Sequence, residues 1–296
     1  MNIVVFGAGA IGSFFGGVLS QKNNVALVGR KKHVNAICEN YLFIKGKTNL
    51  KANIKAVENA KDIDFTPDLL ILTVKSYDTE KAIKEASKII VKDTIIMSLQ
   101  NGIDNIDKIK KHVDSGNIVV GITTNGCVFS EPGIIQHTGI GKTVLGNIEG
   151  SQAERLVELF NASEIKTKLS NDILSEIWIK GIVNSSINPL TGFLNCKNGY
   201  LLENPLLENM VEQICTESTN AANANGLNLD IEDMIGETKE VIRDTSENYS
   251  SMLQSIKNKK KTEIDSINGK IIEIGKEKEI EVRLNELLVF LVRSLS

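Results

Sequence analysis

The opening residues carry the feature that most constrains the fold, a glycine-spaced motif placed directly after a short apolar segment. Residues 2–6 (NIVVF) have the pattern of a strand, and the spacing G-x-G-x-x-G and a helical pattern follow them. In this context the first glycine permits a tight turn, the second lets a backbone approach a pyrophosphate, and the third allows close packing of helix on strand. The N–H groups that open the helix are then available to phosphate oxygens. The predicted phosphate-binding residues are Gly7, Ala8, Gly9, Ala10, Ile11 and Gly12.

Strand and helix patterns alternate through the first half of the chain and give way to helices in the second half. The first half has apolar strand patterns at 24–28, 68–74, 94–99 and 117–123, with helical patterns at 77–90 and 104–112. This succession implies a mostly parallel sheet with helices on both faces. The second half has helical patterns at 171–188, 205–224, 230–246, 251–258, 262–275 and 283–294. We therefore predict an α/β chain, with a Rossmann-type doubly wound sheet in residues 1–168 and an all-α domain in residues 169–296.

The end of the second predicted strand distinguishes between cofactors. A domain that binds NAD would place Asp or Glu there to hold the ribose hydroxyls. This chain has Gly29, followed by Arg30, Lys31 and Lys32. No carboxylate is present to repel a 2′-phosphate, and the Arg30 guanidinium can bind a phosphate in bidentate fashion. A basic helix start on the surface is the alternative, but the pattern favours NADP.

Polar residues also follow two later strands of the predicted sheet. Lys75 comes after ILTV, and Gln100-Asn101-Gly102 comes after IIMSL. Ligands of open parallel sheets lie at the carboxyl ends of the strands. Asn-Gly is also a common turn dipeptide, so a plain turn is the competing interpretation. The shared location of the two segments favours contact with a cofactor.

A line of polar residues interrupts an apolar segment in the helical half. Lys180, Asn184 and Asn188 stand four residues apart, so a helix would align them in one stripe that is about 12 Å long. Such a stripe is often only the solvent-facing side of a helix. Here the apolar neighbours occupy several faces, which indicates a largely buried helix whose polar groups need partners. A bound ligand would supply those partners.

Composition narrows the classes of function. The 296 residues include 34 basic and 37 acidic side chains and carry a net charge of -3, so there is no electrostatic footprint for nucleic acid. No apolar run approaches the ~18 residues of a membrane span. Four cysteines are scattered without a C-x-x-C pair, which fits reduced thiols in a cytoplasm better than disulfides or a zinc site. We expect a cytoplasmic protein that binds a small molecule and no metal, as a monomer or homodimer.

Five segments of the chain together resemble the ketopantoate reductase (2-dehydropantoate 2-reductase) family. They are GAGAIG at 7–12, LTVKSYDT at 72–79, QNG at 100–102, KGIVNSSINPLTGFLNCKNG at 180–199 and SSMLQSIKNKKKTEIDSINGKI at 250–271. The resemblance spans nearly the whole chain in the family's order, and the last two segments are specific. It implies NADPH-dependent reduction of 2-dehydropantoate to (R)-pantoate, on the way to pantothenate and coenzyme A.

The resemblance also implies roles for individual residues. Lys180 would be the general acid, and Glu263 would be a carboxylate at the cleft where substrate and nicotinamide meet. The implied substrate-binding residues are Lys180, Asn184, Asn188, Asn198, Asn248 and Ser251. Besides the glycine turn and Arg30, the implied cofactor contacts are Lys75, Asn101, Gly126 and Glu263. The assignment of Gly126 rests on a less distinctive segment, GITTNGCVF.

The chemistry of a 2-keto acid reduction agrees with these roles. The reaction needs a hydride at the carbonyl carbon, together with charge stabilisation and a proton at its oxygen. The three histidines, His33, His112 and His137, fall in no distinctive site motif and are expected on the surface. The Lys180 ammonium can serve as electrophile and proton donor, with Glu263 as its counter-charge.

Two alternatives stay open. One is a reductase of the same architecture that acts on another branched 2-keto acid, because scattered apolar residues set the shape of the substrate pocket. The other is a non-catalytic NADP(H)-sensing protein, whose signature would be a cofactor motif without an acid in the cleft.

Overall fold

The computed structural model describes residues 1–295, which form two compact units. The first consists of Met1–Gln100 and Asn105–Leu174, and the second of Asn101–Asp104 and the residues from Ser175 onward. The division at Leu174 lies a few residues after the boundary expected from the sequence. The short segment Asn101–Asp104 belongs to a different unit from its immediate chain neighbours.

The first unit contains twelve strands and five helices within the described residues. The strands are β1 (Asn2–Phe6), β2 (Asn24–Val28), β3 (Leu42–Gly46), β4 (Leu50–Ala52), β5 (Lys55–Val57), β6 (Leu69–Leu72), β7 (Ile95–Ser98), β8 (Ile118–Thr123), β9 (Gly126–Glu131), β10 (Ile134–Gly139), β11 (Thr143–Asn147) and β12 (Thr167–Leu169). The helices are α1 (Ala10–Leu19), α2 (Lys31–Asn40), α3 (Thr79–Ala86), α4 (Asn105–Lys110) and α5 (Gln152–Ala162).

Eight strands form the main sheet, in the order β12-β11-β8-β7-β6-β1-β2-β5. The strands from β8 to β5 run parallel, whereas β11 pairs antiparallel with β8. Central strands such as β6 are buried along their whole length, which is why they appear in the sequence as apolar runs rather than alternating patterns. The predicted Rossmann-type sheet is confirmed. Because β1, β6 and β7 are parallel neighbours, their carboxyl ends lie at one edge.

A second sheet of four strands, in the order β4-β3-β10-β9, was not predicted. It packs on α1, where a Cβ added at Gly17 would lie 2.8 Å from the side chain of Ile44 in β3. Strand β4 has only three residues, and β9 is largely exposed. Such strands lack the long apolar run or the clean alternation that marks a strand in a sequence.

Two of the three histidines are buried in the first unit, so the expectation of surface positions was wrong for them. His33 and His137 are each only 3% exposed. In His137, Nδ1 lies 2.9 Å from Thr48 Oγ1 and Nε2 lies 2.9 Å from Gly139 O. A histidine can be buried when both ring nitrogens find partners, and a single sequence does not show those partners.

Within its described residues the second unit contains helices and no strands, as predicted. Its helices are α6 (Ile173–Leu194, which begins in the first unit), α7 (Tyr200–Glu203), α8 (Pro205–Ala224), α9 (Ile231–Asp244), α10 (Ser251–Lys257), α11 (Asn268–Glu277) and α12 (Arg283–Ser294). Trp178 and Ile182 of α6 share one apolar core with Ile214 of α8 and Ile271 of α11. Among residues 1–295, no helix is both long and apolar enough to cross a membrane.

The long helix α6 continues through Pro189, although the sequence predicted an end at residue 188. Proline has no N–H to donate to the carbonyl four residues earlier, which here belongs to Ser185. That carbonyl instead accepts a hydrogen bond of 3.1 Å from Asn268 Nδ2. The predicted end was wrong because a side chain from a distant part of the sequence replaces the missing donor.

The predicted helix at 262–275 is divided in the structure. Ile264–Ser266 form a short 3-10 turn, and α11 follows from Asn268. The turn places Glu263 directly before it, in a buried position. The carboxylate is therefore held by irregular backbone rather than by the helix that the sequence predicted.

Candidate functional site

The glycine motif forms the turn between β1 and α1, and two of its glycines leave no space for a side chain. Gly7 has φ +114, and a Cβ there would lie 2.6 Å from the backbone nitrogen of Val74. A Cβ at Gly12 would lie 2.3 Å from Gly7 O. At Gly9, by contrast, the nearest atom would be Gly7 O at 3.9 Å, and the residue is exposed. The open side of Gly9 is the side from which a ligand can approach the backbone.

The start of α1 has the properties of an anion site. Gly9 caps the helix without a side-chain hydrogen bond, and the first turn contains no acidic residue. The amides of Ala10, Ile11 and Gly12 open the helix, where N–H groups have no acceptor within the helix itself. These residues therefore fit the pyrophosphate of a dinucleotide, which the turn and the helix N-terminus would hold together.

Hydrogen bonds join this turn to the loops after β6 and β7. Thr73 Oγ1 donates to Gly7 O at 2.8 Å. Gln100 Nε2 donates to Val74 O and to Thr79 Oγ1, both at 2.8 Å. Lys75 follows Val74 in this loop and is half-buried. The structure thus brings the motif turn and the Lys75 loop together, and Gln100 supports the loop from the next strand.

The supporting threonines were missed by the sequence analysis. Thr73 and Thr79 lie within the segment LTVKSYDT, but a hydroxyl that bonds to a distant backbone carbonyl leaves no local pattern. Gln100 was expected to contact a cofactor with its neighbours. Its side-chain atoms are instead hydrogen-bonded inside the protein, with Ser98 Oγ donating to Oε1 at 3.1 Å.

The basic segment after β2 lies next to the glycine turn. Gly29 N donates to Val57 O at 3.0 Å, and a Cβ at Gly29 would lie 2.7 Å from Ala8 Cβ. The close packing on Ala8 therefore requires a glycine at this position. The same residue also means that no carboxylate is present at the end of β2. Arg30 follows as the exposed N-cap residue of α2, whose first turn contains no acidic side chain. The Arg30 guanidinium thus stands at a helix start whose first turn holds no carboxylate.

Two further predicted cofactor contacts lie elsewhere. Asn101 is half-buried and belongs to the second unit. Gly126 is the first residue of β9, where a Cβ would lie 2.9 Å from Thr138 Oγ1. The roles of Asn101 and Gly126 in cofactor binding stay predictions.

The predicted polar stripe lies on one helix, α6. Lys180 and Asn184 are half-buried, and Asn188 is 7% exposed. Their four-residue spacing on a continuous helix gives them a common face, as the sequence predicted. The stripe is therefore not a fully solvent-exposed helix face, because all three side chains are at least half-buried. Polar groups with this burial need hydrogen-bond partners from the protein or from a ligand.

Lys180 and Glu263 interact electrostatically within the helical unit. Glu263 is 7% exposed, and its negative charge acts on the Lys180 ammonium. Burial lowers the pKa of Lys180 to about 8, and the attraction of Glu263 partly opposes that shift. A lysine in this environment can exchange a proton near neutral pH, whereas an exposed lysine holds its proton.

Contacts of the residues that follow Glu263 hold this segment in the helical unit. Ser266 O, in the turn that follows Glu263, accepts from Ile103 N at 2.9 Å. Asn268 Nδ2 donates to Ser185 O of α6. The same side chain donates to Asn285 Oδ1 of α12 at 2.9 Å. The segment that carries the carboxylate is thereby attached to the helix that carries the lysine.

The remaining predicted substrate residues fall into a buried and an exposed set. Asn198 is 7% exposed, and its Nδ2 donates to Thr245 Oγ1 at 2.9 Å, while its buried Oδ1 has no hydrogen-bond partner in the described structure. Asn198 N also donates to Asn248 O at 3.0 Å, so these two predicted residues are neighbours. Asn248 and Ser251 are exposed. Asn198 Oδ1 is thus a buried acceptor without a donor in the described structure.

Ser250, not singled out from the sequence, is the buried hydroxyl at this end of the unit. It accepts a hydrogen bond of 2.8 Å from Thr191 Oγ1 of α6 and caps α10 by accepting from Leu253 N. A Ser that precedes a helical pattern is a recognisable N-cap signal. Ser250 thus anchors the exposed Ser251 to the helix that carries the stripe.

Together, the fold and the two sites define a class of protein. A dinucleotide-type glycine turn occurs in an α/β unit, and a half-buried lysine, a buried carboxylate and several amides occur in a helical unit. Two family models match the chain. Ketopantoate reductase PanE/ApbA matches residues 3–150, and its C-terminal counterpart matches residues 172–296. The chain belongs to the ketopantoate reductase family.

Individual relatives cover almost the whole chain. It is 43% identical to a 2-dehydropantoate 2-reductase of Pyrococcus horikoshii, over 99% of this chain and 97% of that protein. The structure of a PanE/ApbA family ketopantoate reductase from Ralstonia eutropha matches with a TM-score of 0.93 at 26% identity, over 100% of this chain and 98% of that one. A D-mandelate dehydrogenase structure with NADH and anilino(oxo)acetate matches with a TM-score of 0.94 at 30% identity and the same coverage.

Within residues 1–295, no group of three or more His, Cys, Asp or Glu side chains is arranged to hold a metal ion. The four cysteines are free thiols.

Proposed function

We propose that this protein is a 2-dehydropantoate 2-reductase that uses NADPH to form (R)-pantoate, a step toward pantothenate and coenzyme A. The observation that carries the proposal is the half-buried Lys180, on whose charge Glu263 acts, on a helix that also presents Asn184 and Asn188. Membership of the family and the name of the Pyrococcus relative support the choice of substrate. A non-catalytic sensor would have no need for a lysine with a lowered pKa in its ligand site.

The proposed cofactor follows from the first unit. The glycine turn and the start of α1 would hold a pyrophosphate, and Arg30 would hold a 2′-phosphate. When bound, the nicotinamide cofactor supplies the hydride for the keto carbon. The D-mandelate dehydrogenase neighbour binds NADH, so NADH is the competing candidate. Gly29 and Arg30 support NADPH, because an NAD site usually has a carboxylate there for the ribose hydroxyls.

The proton chemistry belongs to Lys180 in this proposal. Its ammonium would donate a hydrogen bond to the keto oxygen and then transfer a proton from Nζ to the forming alkoxide. The pKa of about 8 makes that transfer easier than for an ordinary lysine while leaving most of the group protonated at pH 7. Glu263 would keep the lysine charged and accept a hydrogen bond from a substrate hydroxyl.

The amides and hydroxyls would orient the substrate. Asn184 and Asn188 lie on the same face as Lys180, and the unpartnered Asn198 Oδ1 is an acceptor for a hydroxyl. The proposed substrate contacts are Lys180, Asn184, Asn188, Asn198, Asn248 and Ser251. The proposed cofactor contacts beyond the glycine turn and Arg30 are Lys75, Asn101, Gly126 and Glu263. We further propose a cytoplasmic enzyme that acts as a monomer or homodimer.

A steady-state comparison tests this function. Three keto acids, 2-dehydropantoate, 2-oxoisovalerate and phenylglyoxylate, are each assayed with NADPH and with NADH. We expect the highest kcat/KM with 2-dehydropantoate and NADPH, because a site that hydrogen-bonds a substrate hydroxyl rejects analogues without one. 2-Oxoisovalerate lacks the hydroxymethyl group and isolates that contribution. Equal efficiency with 2-oxoisovalerate would contradict the substrate assignment.

A second candidate function comes from the D-mandelate dehydrogenase neighbour. A reductase of the same architecture that acts on another branched or aryl 2-keto acid would give its highest kcat/KM with 2-oxoisovalerate or phenylglyoxylate. The same assay therefore separates the two candidates. No activity with any of the three acids would remove both.

A further inference from the structure

His33, one of the two buried histidines of the first unit, has a defined protonation state. His33 Nδ1 accepts a hydrogen bond of 2.9 Å from Gly133 N, and Nε2 lies 2.9 Å from Ser13 Oγ. Because a backbone N–H can only donate, Nδ1 carries no proton, and the neutral ring has its hydrogen on Nε2. That hydrogen then points to Ser13 Oγ. Burial lowers the pKa of His33 to about 4, so the ring is neutral at physiological pH.

The ring links three parts of the first unit. Ser13 is in α1, directly after Gly12 of the glycine motif, and His33 is in the first turn of α2. Gly133 is in the turn between β9 and β10 and has φ +83. The ring also lies against Phe129 of β9, with centroids 4.8 Å apart. His33 thus attaches the start of α2 to the helix that opens the phosphate site.

The same residue holds Arg30 through the backbone. His33 N and Val34 N donate to Arg30 O at 2.9 and 3.1 Å. On the other side of Arg30, Gly29 is held by its hydrogen bond to Val57 O and by its close approach to Ala8. The backbone of the basic segment is therefore fixed at both ends. Between those ends, Arg30, Lys31 and Lys32 are all exposed.

We propose that His33 is a positioning residue for recognition of a 2′-phosphate, because it fixes the turn from which Arg30 extends. The inference rests on the proposed use of NADPH. A guanidinium binds a phosphate well when its N–H groups are oriented for two parallel hydrogen bonds. The fixed backbone of the segment limits the positions from which the Arg30 side chain can extend. Without the ring, the first turn of α2 would keep its cations but lose its attachment to α1.

Binding of adenine nucleotides to the full-length apoprotein tests the proposal without an activity readout. Isothermal titration gives dissociation constants for adenosine 2′,5′-bisphosphate and for 5′-AMP, which differ by the 2′-phosphate. We expect the wild type to bind the bisphosphate more tightly. His33→Leu should weaken bisphosphate binding by about tenfold and 5′-AMP binding much less. The selectivity ratio, which is the dissociation constant of 5′-AMP divided by that of the bisphosphate, should therefore fall.

A matched control separates positioning from general stability. His137 is equally buried, has both ring nitrogens hydrogen-bonded and lies against Phe14 of α1, with ring centroids 4.4 Å apart, but neither hydrogen-bond partner is in α2. His137→Leu should lower the melting temperature to a similar degree and leave the ratio unchanged. His33→Asn retains an acceptor near Nδ1 for Gly133 N and should give an intermediate ratio. It also serves as the test variant if His33→Leu does not fold.

The outcomes are distinct. If the wild type binds both nucleotides equally, the proposed NADPH preference fails, and the role of His33 fails with it. If the wild type prefers the bisphosphate and the folded His33 variants keep the wild-type ratio, only the role of His33 is overturned. An equal fall of the ratio in the His137 variant would also overturn it.

Discussion

At the scale of single residues, the opposing effects of burial and of the Glu263 charge set the pKa of Lys180. Burial alone would push the lysine toward its neutral form, in which it has no catalytic proton to give. Glu263 opposes that effect, and the net result is a pKa of about 8. The residue is thereby kept charged at neutral pH and remains a stronger acid than an exposed lysine.

The pH dependence of the reduction follows from this value. The acid is active when protonated, so kcat/KM should be level below about pH 8 and should fall tenfold per pH unit above it. Glu263→Gln removes the charge that holds the proton, so the fall should begin at lower pH. A pH profile of kcat/KM for wild type and variant measures both. A fall that begins at the same pH in the two proteins would exclude Glu263 as the counter-charge.

Replacement of the lysine tests its role directly. Lys180→Ala should lower kcat by at least about 10²-fold and abolish the fall at alkaline pH, because the proposed general acid is gone. Lys166→Ala is the control, since Lys166 is exposed and lies outside the predicted site. It should leave kcat unchanged. A folded Lys180→Ala protein with most of its kcat would return the stripe to an ordinary polar face.

At the scale of elements, the course of α6 depends on one side chain from α11. Pro189 leaves Ser185 O without its helical donor, and Asn268 Nδ2 supplies one. Asn268 is fully buried, so its loss would leave that carbonyl unsatisfied. The helix that carries the polar stripe is therefore stabilised at its proline from outside the helix.

A double-mutant cycle tests this compensation. Asn268→Leu should destabilise the protein, but less so in a Pro189→Ala background, where the alanine N–H can donate to Ser185 O. We expect a coupling of about 1 kcal/mol in urea unfolding. Asn223→Ala is the control, because the Asn223 side chain caps Leu229 instead and should show no coupling to Pro189. Additive effects of the Asn268 and Pro189 changes would refute the compensation.

Two glycines in helices should respond oppositely to alanine. A Cβ at Gly12 would lie 2.3 Å from Gly7 O and 2.4 Å from Thr73 Oγ1, so Gly12→Ala should distort the turn and weaken nucleotide binding. Gly236 lies within α9 with no atom within 4 Å of its added Cβ. Gly236→Ala should stabilise by about 0.5–1 kcal/mol through helix propensity. Urea unfolding and nucleotide titration measure both, and unchanged binding in Gly12→Ala would contradict the tight turn.

At the scale of the whole molecule, binding of cofactor should appear as thermal stability. A ligand that binds only the folded state at about 100 times its dissociation constant contributes about 2.7 kcal/mol. Because we propose that NADPH binds more tightly than NADH, NADPH should raise Tm more than NADH does at equal concentrations. Lys180→Ala should keep the NADPH shift, whereas Arg30→Ala should lose most of it. Equal shifts by the two cofactors in the wild type would contradict the proposed preference.

Much of the fold was predictable because it is encoded by nearby residues. The strand, glycine turn and helix at the N-terminus follow from local spacing, and helices such as α8 and α12 follow from periodicity. The small sheet was missed because β3 and β10 pair across most of the first unit's sequence, and neither strand shows that partner in its own pattern. The site was predictable in part, since Lys180, Asn184 and Asn188 share a face of any helix that contains them.

By itself, then, the sequence determined what depends on residues close along the chain: the phosphate-type turn, the basic segment after β2, the alternation of strands and helices, and the polar stripe. The action of Glu263 on Lys180 was expected only from a family resemblance, and the tertiary structure shows it. Only the tertiary structure decided that α6 passes through Pro189. It also decided that His33 is buried. The contacts involved join residues far apart, such as Asn268 with Ser185 at a separation of 83 residues and Gly133 with His33 at 100. Local pattern carries no information about such pairs, because their burial and hydrogen bonding exist only once the chain has folded.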